Sequence, residues 1–134
     1  PNLRVGFMEA GVSWLQTCLE RFDRGWETHI QYDPREEYIR LHPGETVSAY
    51  IRRHVDAGRV YVGCEGTEKA LHHLIEAVGN KPFMFSSDFP HEVNNDYCKH
   101  EIEEIVENEH LTDDDKHAVL HRNAERFYDL RPLG

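Results

Sequence analysis

The chain predicts an α/β fold built on a parallel sheet, and three observations carry that expectation. Leu3 to Met8, Arg59 to Cys64 and the stretch around Phe83-Met84-Phe85 are apolar without strict alternation, the pattern of strands covered on both faces. Each is followed by a segment whose apolar residues recur at helical spacing. Each also runs into a carboxylate: Glu9, Glu65 or Asp88. Strand then helix, repeated, with the acids at the same strand end, describes a βα architecture with one chemically loaded rim. Strands 3 to 8, 59 to 64 and 82 to 87 are expected to pair in parallel in that order.

The first strand is bounded by Glu9 and Gly11. Leu15, Cys18, Leu19, Phe22 and Trp26 then make one helical stripe, with Ser13 as its N-cap. From Glu27 to Thr46 the pattern breaks. Tyr32, Asp33, Pro34 and His42-Pro43-Gly44 mark loops, with at most a helical turn at 34 to 40. Val47, Tyr50, Ile51 and Val55 restore the stripe, Gly58 ends it, and the second strand follows with Glu65 and Glu68 just past its end. Thr67 opens a helix in which Ala70, Leu71, Leu74, Ile75 and Val78 share a face, closed by Gly79-Asn80. Pro90 stops the third strand, having no N–H to continue a ladder. Tyr97, Cys98, Ile102, Ile105 and Val106 keep a helical period across Asn94 to Glu107. Thr112 with Asp115 three residues on reads as a capping box, and the last helix turns Val119, Leu120, Ala124, Phe127 and Tyr128 inward. No linker divides residues 1–134, which read as a single partial domain: the first residue is Pro1 and a strand begins at once, as in a piece of a longer protein.

With 25 acidic and 15 basic residues the formal charge is −10. That balance repels phosphate backbones and offers no basic stripe, so nucleic acid is not expected as a partner. No apolar run approaches the roughly 20 residues of a spanning helix, so a membrane is not expected either. Cys18, Cys64 and Cys98 include no CxxC pair, which indicates neither a disulfide framework nor a zinc knuckle and makes a reducing cytoplasm the expected location.

Asp88 is the residue that this pattern singles out. A carboxylate placed after a buried strand sits at the sheet mouth, where a metal, a bound water or a basic partner offsets its desolvation. The bland alternative is a cap on the next segment. Glu9 and Glu65 lie at the other strand ends as general acid or base groups, as groups holding a ligand, or as salt-bridge partners of loop arginines. Glu65 can also simply precede the Thr67 cap, and His91 either lines the mouth or sits in a surface loop. His117 and His121 are spaced i, i+4, but Ala118 stands where a His-Glu-x-x-His motif carries its glutamate, so they read as solvated. His72 and His73, on different sides of their helix, read the same way. The acidic runs at 101 to 109 and 112 to 115 read as exposed helical faces and a helix start.

Three pieces of the chain together resemble a known family: Leu3 to Gly11 with Trp14 and Leu19-Glu20-Arg21-Phe22-Asp23, then Phe85-Ser86-Ser87-Asp88-Phe89-Pro90-His91, then Asn123-Ala124-Glu125-Arg126-Phe127-Tyr128-Asp129-Leu130. They resemble the carboxyl-terminal part of the amidohydrolase-related metal-dependent hydrolases and decarboxylases, the group that includes aminocarboxymuconate-semialdehyde decarboxylase. The resemblance implies a (β/α)8 TIM barrel of which this chain supplies about strands six to eight with their helices. It implies that Asp88 corresponds to the strand-eight aspartate that binds or faces a divalent metal. Zinc is the default ion, and carboxylate-rich mouths also accept manganese. Glu9 would act beside Asp88 in catalysis, with His91 and Glu65 against the substrate. The family's His-x-His of strand one and histidine of strand five would lie upstream of Pro1. Decarboxylase members carry a histidine at the end of strand six, where this chain has Met8-Glu9-Ala10-Gly11. The expected activity is therefore hydrolysis of a small carboxylated or carbonyl substrate by metal-activated water, with decarboxylation as the alternative. A non-catalytic αβ binding or barrel-completing domain is the alternative from another class. Three barrel strands leave two long apolar edges that the complete barrel would cover, so the isolated chain is expected to associate or to be loosely packed. It is expected to be inactive in isolation, and the full-length protein is expected to be a homo-oligomer.

Overall fold

The computed structural model describes residues 3–29, 39–91 and 93–130. The middle apolar run forms the centre of the sheet: β2 (Val60–Cys64) pairs in parallel with β1 (Val5–Phe7) on one side and β3 (Phe83–Phe85) on the other. Val5 is in register with Val60 and Phe7 with Val62, while Val62 is in register with Phe83 and Cys64 with Phe85. Order and direction are those expected from the sequence, although each strand is shorter at its ends. Parallel neighbours need crossovers, and helices supply them. α1 (Val12–Thr28) and α2 (Val47–Asp56) connect β1 to β2, and α3 (Leu71–Val78) connects β2 to β3. α4 (Asn95–Glu107), α5 (Asp113–His117) and α6 (Asn123–Tyr128) follow, the last two joined through a wide i→i+5 turn over Ala118–Arg122.

One core runs between sheet and helices, with Val12, Leu15, Val62, Leu71, Leu74, Phe83, Ile105 and Val119 all buried. Removing side chains of this size from water contributes about 1.5–3 kcal/mol each, which is what holds the helices on the sheet. The Thr112–Asp115 capping box forms as expected, both reciprocal bonds being present. Thr46 and Asn94 cap α2 and α4, accepting N–H groups of Ala49 and of Asp96 and Tyr97.

Several expectations are corrected. β1 is not covered on both faces among the described residues: Val5 is 39% and Phe7 37% exposed, because β1 is an edge of this sheet. Ser13 does not cap α1, which begins one residue earlier, at Val12, after Gly11. Thr67 does not open α3, which starts at Leu71 after a turn. β3 ends at Phe85, well before Pro90, which instead follows a cis peptide bond after Phe89. Phe22 and Tyr128 are exposed rather than inward, as are Tyr97, Ile102 and Val106 on α4. His72 and His73 do not diverge, their ring centroids being 3.8 Å apart, and His72 stacks on His110. The helical turn expected at 34 to 40 falls mostly on residues outside those described.

The α1–α2 layer is pinned by polar contacts that the apolar stripe does not reveal. The Ser48 N–H and hydroxyl both donate to the Asp23 carboxylate, at 2.7 and 2.6 Å. Just before α2, Glu45 accepts Arg53 Nε at 2.7 Å, Arg53 Nη2 at 3.0 Å and the His42 N–H at 2.8 Å. The Arg53 hydrogen bonds, then that of His42, pull the Glu45 carboxyl from its ordinary 4.5 down to about 2. A depressed carboxyl contributes stability that is fully present above its unfolded value and is lost as pH falls through the folded one. The melting-temperature difference between wild type and Glu45→Gln is therefore expected to be constant above about pH 5, to shrink below it and to close near pH 2. Thermal melts of both proteins from pH 7 to 2 check this.

The wide turn has a visible consequence. Asn123 lies five residues after Ala118, so Ala118, Val119 and Asn123 are all turned into the interior, each 0% exposed. The Asn123 amide donates to the carbonyls of Asn80 at 2.7 Å and Phe83 at 2.8 Å, fastening the last helices to the start of β3. Asn123→Ala leaves both carbonyls without that donor and is expected to cost about 1–3 kcal/mol, read from the shift in denaturant midpoint.

Candidate functional site

Because the three strands are parallel, the loops after β1, β2 and β3 open on one side of the sheet, and these loops carry Glu9, Glu65 and Asp88. The Ser86 N–H donates to the Cys64 carbonyl at 2.9 Å, carrying the ladder one step beyond β3. Asp88 then adopts φ 55°, in the left-handed region that aspartate tolerates better than most residues. This reversal brings His91 back over the aspartate. The His91 N–H donates to the Asp88 carbonyl at 3.1 Å, and its Nδ1 shares a hydrogen bond of 2.8 Å with Asp88 Oδ1. Asp88 is thus no cap for α4, whose cap is Asn94. Glu9, Asp88 and His91 each place one ligand atom so that all lie within 4.8 Å of one another. Glu9 and His91 are exposed and Asp88 is partly buried.

Glu65 joins the mouth but not that group. It lines two adjoining clefts. One of about 480 Å³ is shared with Glu9, Gly11, Glu68, Ser86 and Asp88, and one of about 340 Å³ with Ser87, Asp88, Val93, Tyr97 and Glu101. Burial, then the charges of Glu101, Glu68 and Asp88, pushes the Glu65 carboxyl up. Neither Glu9 nor Glu65 forms an ion pair with an arginine among the described residues. Cys64 is of no use as a thiolate here: burial, then the neighbouring carboxylates, pushes its thiol far up, and its Sγ faces the Met84 carbonyl at 3.5 Å. His117 and His121 are exposed, and they belong to no three-ligand group among the described residues.

Two carboxylates shape the mouth without having stood out in the sequence. Glu68 accepts the Val12 N–H at 2.8 Å and the Glu65 N–H at 3.1 Å, joining the loop after β2 to the start of α1. Glu101 is wholly buried, correcting the expectation that the acidic run at 101 to 109 is a solvated face. Its carboxylate accepts the Gly66 N–H, the Thr67 N–H at 3.2 Å and the Thr67 hydroxyl at 3.3 Å. The hydrogen bond to Glu101 leads the causes that push the Tyr97 phenol up. Helical phase held the signal for Glu101, since Cys98, Glu101 and Ile105 fall at i, i+3 and i+7 on the face turned inward.

The amidohydrolase family model matches residues 1–130, nearly the whole chain. The chain belongs to the amidohydrolase family. No curated protein and no solved structure matches it. The parallel three-stranded sheet with its helices is consistent with part of a TIM-barrel amidohydrolase. Amidohydrolases are generally metal-dependent, and the donors at this mouth fit that requirement. Two carboxylates and an imidazole are a set that zinc and manganese accept. Around a tetrahedral zinc, donor atoms stand about 3.3 Å apart; here the three ligand atoms lie within 4.8 Å of one another, with His91 Nδ1 and Asp88 Oδ1 2.8 Å apart. Among the described residues, no helix of this amidohydrolase is long and apolar enough to cross a membrane.

Proposed function

We propose that the chain is the carboxyl-terminal part, strands six to eight, of a metal-dependent amidohydrolase barrel that hydrolyses a small carboxylated or carbonyl substrate. The observation that carries this reading is the convergence of Glu9, Asp88 and His91 at the open ends of parallel strands. A divalent ion held there would lower the pKa of a bound water to about 7 and polarise a carbonyl oxygen. Asp88 takes the proton from the attacking water, and His91, hydrogen-bonded to Asp88 Oδ1, fixes the direction in which that carboxylate points. The same carboxyl then returns that proton to the leaving group, while Glu9, across the same cleft, would help hold the ion and Glu65 lines the space where substrate would lie; His91 lines neither cleft and acts through Asp88. Glu9 stands where the decarboxylase members of the family carry a histidine, and a carboxylate there favours hydrolysis over decarboxylation.

The exposed apolar edge of β1, with Leu3, Val5, Phe7 and Met8 open to solvent, supports a further strand pairing there in the complete barrel. Metal analysis of the full-length protein tests the whole reading. About one zinc or manganese per site is expected, together with loss of hydrolysis on chelation and recovery on adding the ion back. A protein that takes up no ion and keeps its activity through chelation would overturn the reading. Reading the upstream coding sequence separates the enzyme from a non-catalytic αβ domain, since a His-x-His strand and a later strand-end histidine belong to the enzyme alone.

A further inference from the structure

Helix α1 is 17 residues long, yet it begins without a capping side chain of its own and without an acidic residue in its first turn. The free N–H groups of such an end attract a negative charge. That charge comes from another segment. Glu68, four residues past β2, places Oε2 at 2.8 Å from the Val12 N–H and Oε1 at 3.1 Å from the Glu65 N–H. One carboxylate therefore spans two loops: the one after β1, which carries Glu9, and the one after β2, which carries Glu65. Gly11 makes the approach possible. It sits at φ +68°, and a Cβ on it would stand 3.2 Å from Glu68 Oε2.

Glu9 lies three residues before Val12, so the position of the Glu9 carboxylate depends on where the first turn of α1 is held. We infer that Glu68 is a positioning residue, a latch that holds the Glu9 loop against the Glu65 loop and so keeps Glu9 within reach of Asp88 and His91. This rests on the metal-dependent reading above. Glu68 itself is not among the three residues whose ligand atoms converge, and its two carboxylate oxygens are engaged by backbone N–H groups.

The test uses the full-length protein, with Co²⁺ as a coloured probe of the metal centre. Glu68→Gln presents an amide N–H to one of the two backbone donors, so one hydrogen bond is lost with little change of shape. Gly11→Ala disturbs the same contact without changing any charge. Both variants are expected to bind Co²⁺ at least about 10-fold more weakly and with an altered visible spectrum, the size of effect seen when groups that orient a ligand are removed. Amide exchange at Val12 and Glu65 is expected to quicken. Glu76→Gln, which removes a distant exposed charge on α3, should match wild type throughout. If Glu68→Gln binds Co²⁺ with wild-type affinity and spectrum while Asp88→Asn does not, the latch is overturned and the metal reading stands. If the wild-type protein takes up no Co²⁺, the metal reading fails. The latch is then decided by exchange alone: quicker exchange at both amides supports it, and unchanged exchange overturns it.

Discussion

Asp88→Asn in the full-length protein lowers turnover by about 10² to 10⁴, the range typical of a lost general base, while bound metal falls less. The substitution isolates the charge. Asparagine enters the left-handed region at least as readily as aspartate, so the φ of 55° at this position is no obstacle. The amide oxygen can still accept from His91 Nδ1, so the turn that carries the histidine is retained. What disappears is the negative charge and nearly all of the basicity. In the proposed metal centre, Glu9 and His91 would still hold the ion at reduced affinity. A purely structural Asp88 leads elsewhere: stability changes by well under about 1 kcal/mol and activity is preserved, as when asparagine replaces aspartate at a cap. Turnover and metal content measured on one preparation separate the two, and wild-type values for both would remove Asp88 from the site.

Gly66→Ala is expected to destabilise the protein by about 3 kcal/mol, a fall in melting temperature on the order of 10 °C for a domain of this size. Gly66 is buried in the turn after β2, directly under α4. A Cβ there would overlap the Glu101 backbone, with the Glu101 Cα 2.9 Å away, and neither partner is a flexible side-chain end that could swing aside. Relief requires α4 to lift, and lifting α4 withdraws the Glu101 carboxylate from the Gly66 and Thr67 donors. Packing and hydrogen bonding therefore fail together. The same turn carries Glu65, so the displacement also opens the cleft that Glu65 shares with Tyr97 and Glu101. Thermal melts alongside Gly25→Ala, at a position with nothing within 4 Å of an added Cβ, provide the comparison, and equal melting temperatures would refute the close approach.

Strand order, strand direction and the rim of acids were all legible in the sequence, because they follow from local pattern. Continuous apolar runs separated by helical stripes admit parallel pairing and little else, and parallel pairing sends Glu9, Glu65 and Asp88 to one end. The Ser-Asp-Phe-Pro-His stretch also announced two of the three converging residues, since Asp88 and His91 meet within a single turn. Glu9 reaches them only through the sheet, and whether the carboxylates actually converge depends on register and on loop conformation. Those depend on contacts between residues far apart in sequence. Glu68 bonds Val12 across 56 positions and Glu101 bonds Gly66 across 35, and each looks like an ordinary surface acid until its partner is in place. The caps assigned to Ser13 and Thr67 misplaced their helix starts: α1 begins after Gly11, where Glu68 accepts the Val12 N–H, and Thr67 lies in a turn four residues before α3, its N–H and hydroxyl donating to Glu101. By itself the sequence determined the α/β class, the parallel order and the chemical identity of the mouth, because periodicity and strand ends are local properties. Only the tertiary structure decided which acids face the cleft and which hold its walls, because an unpaired N–H at a buried turn is satisfied by whichever carboxylate the packing brings within about 3 Å.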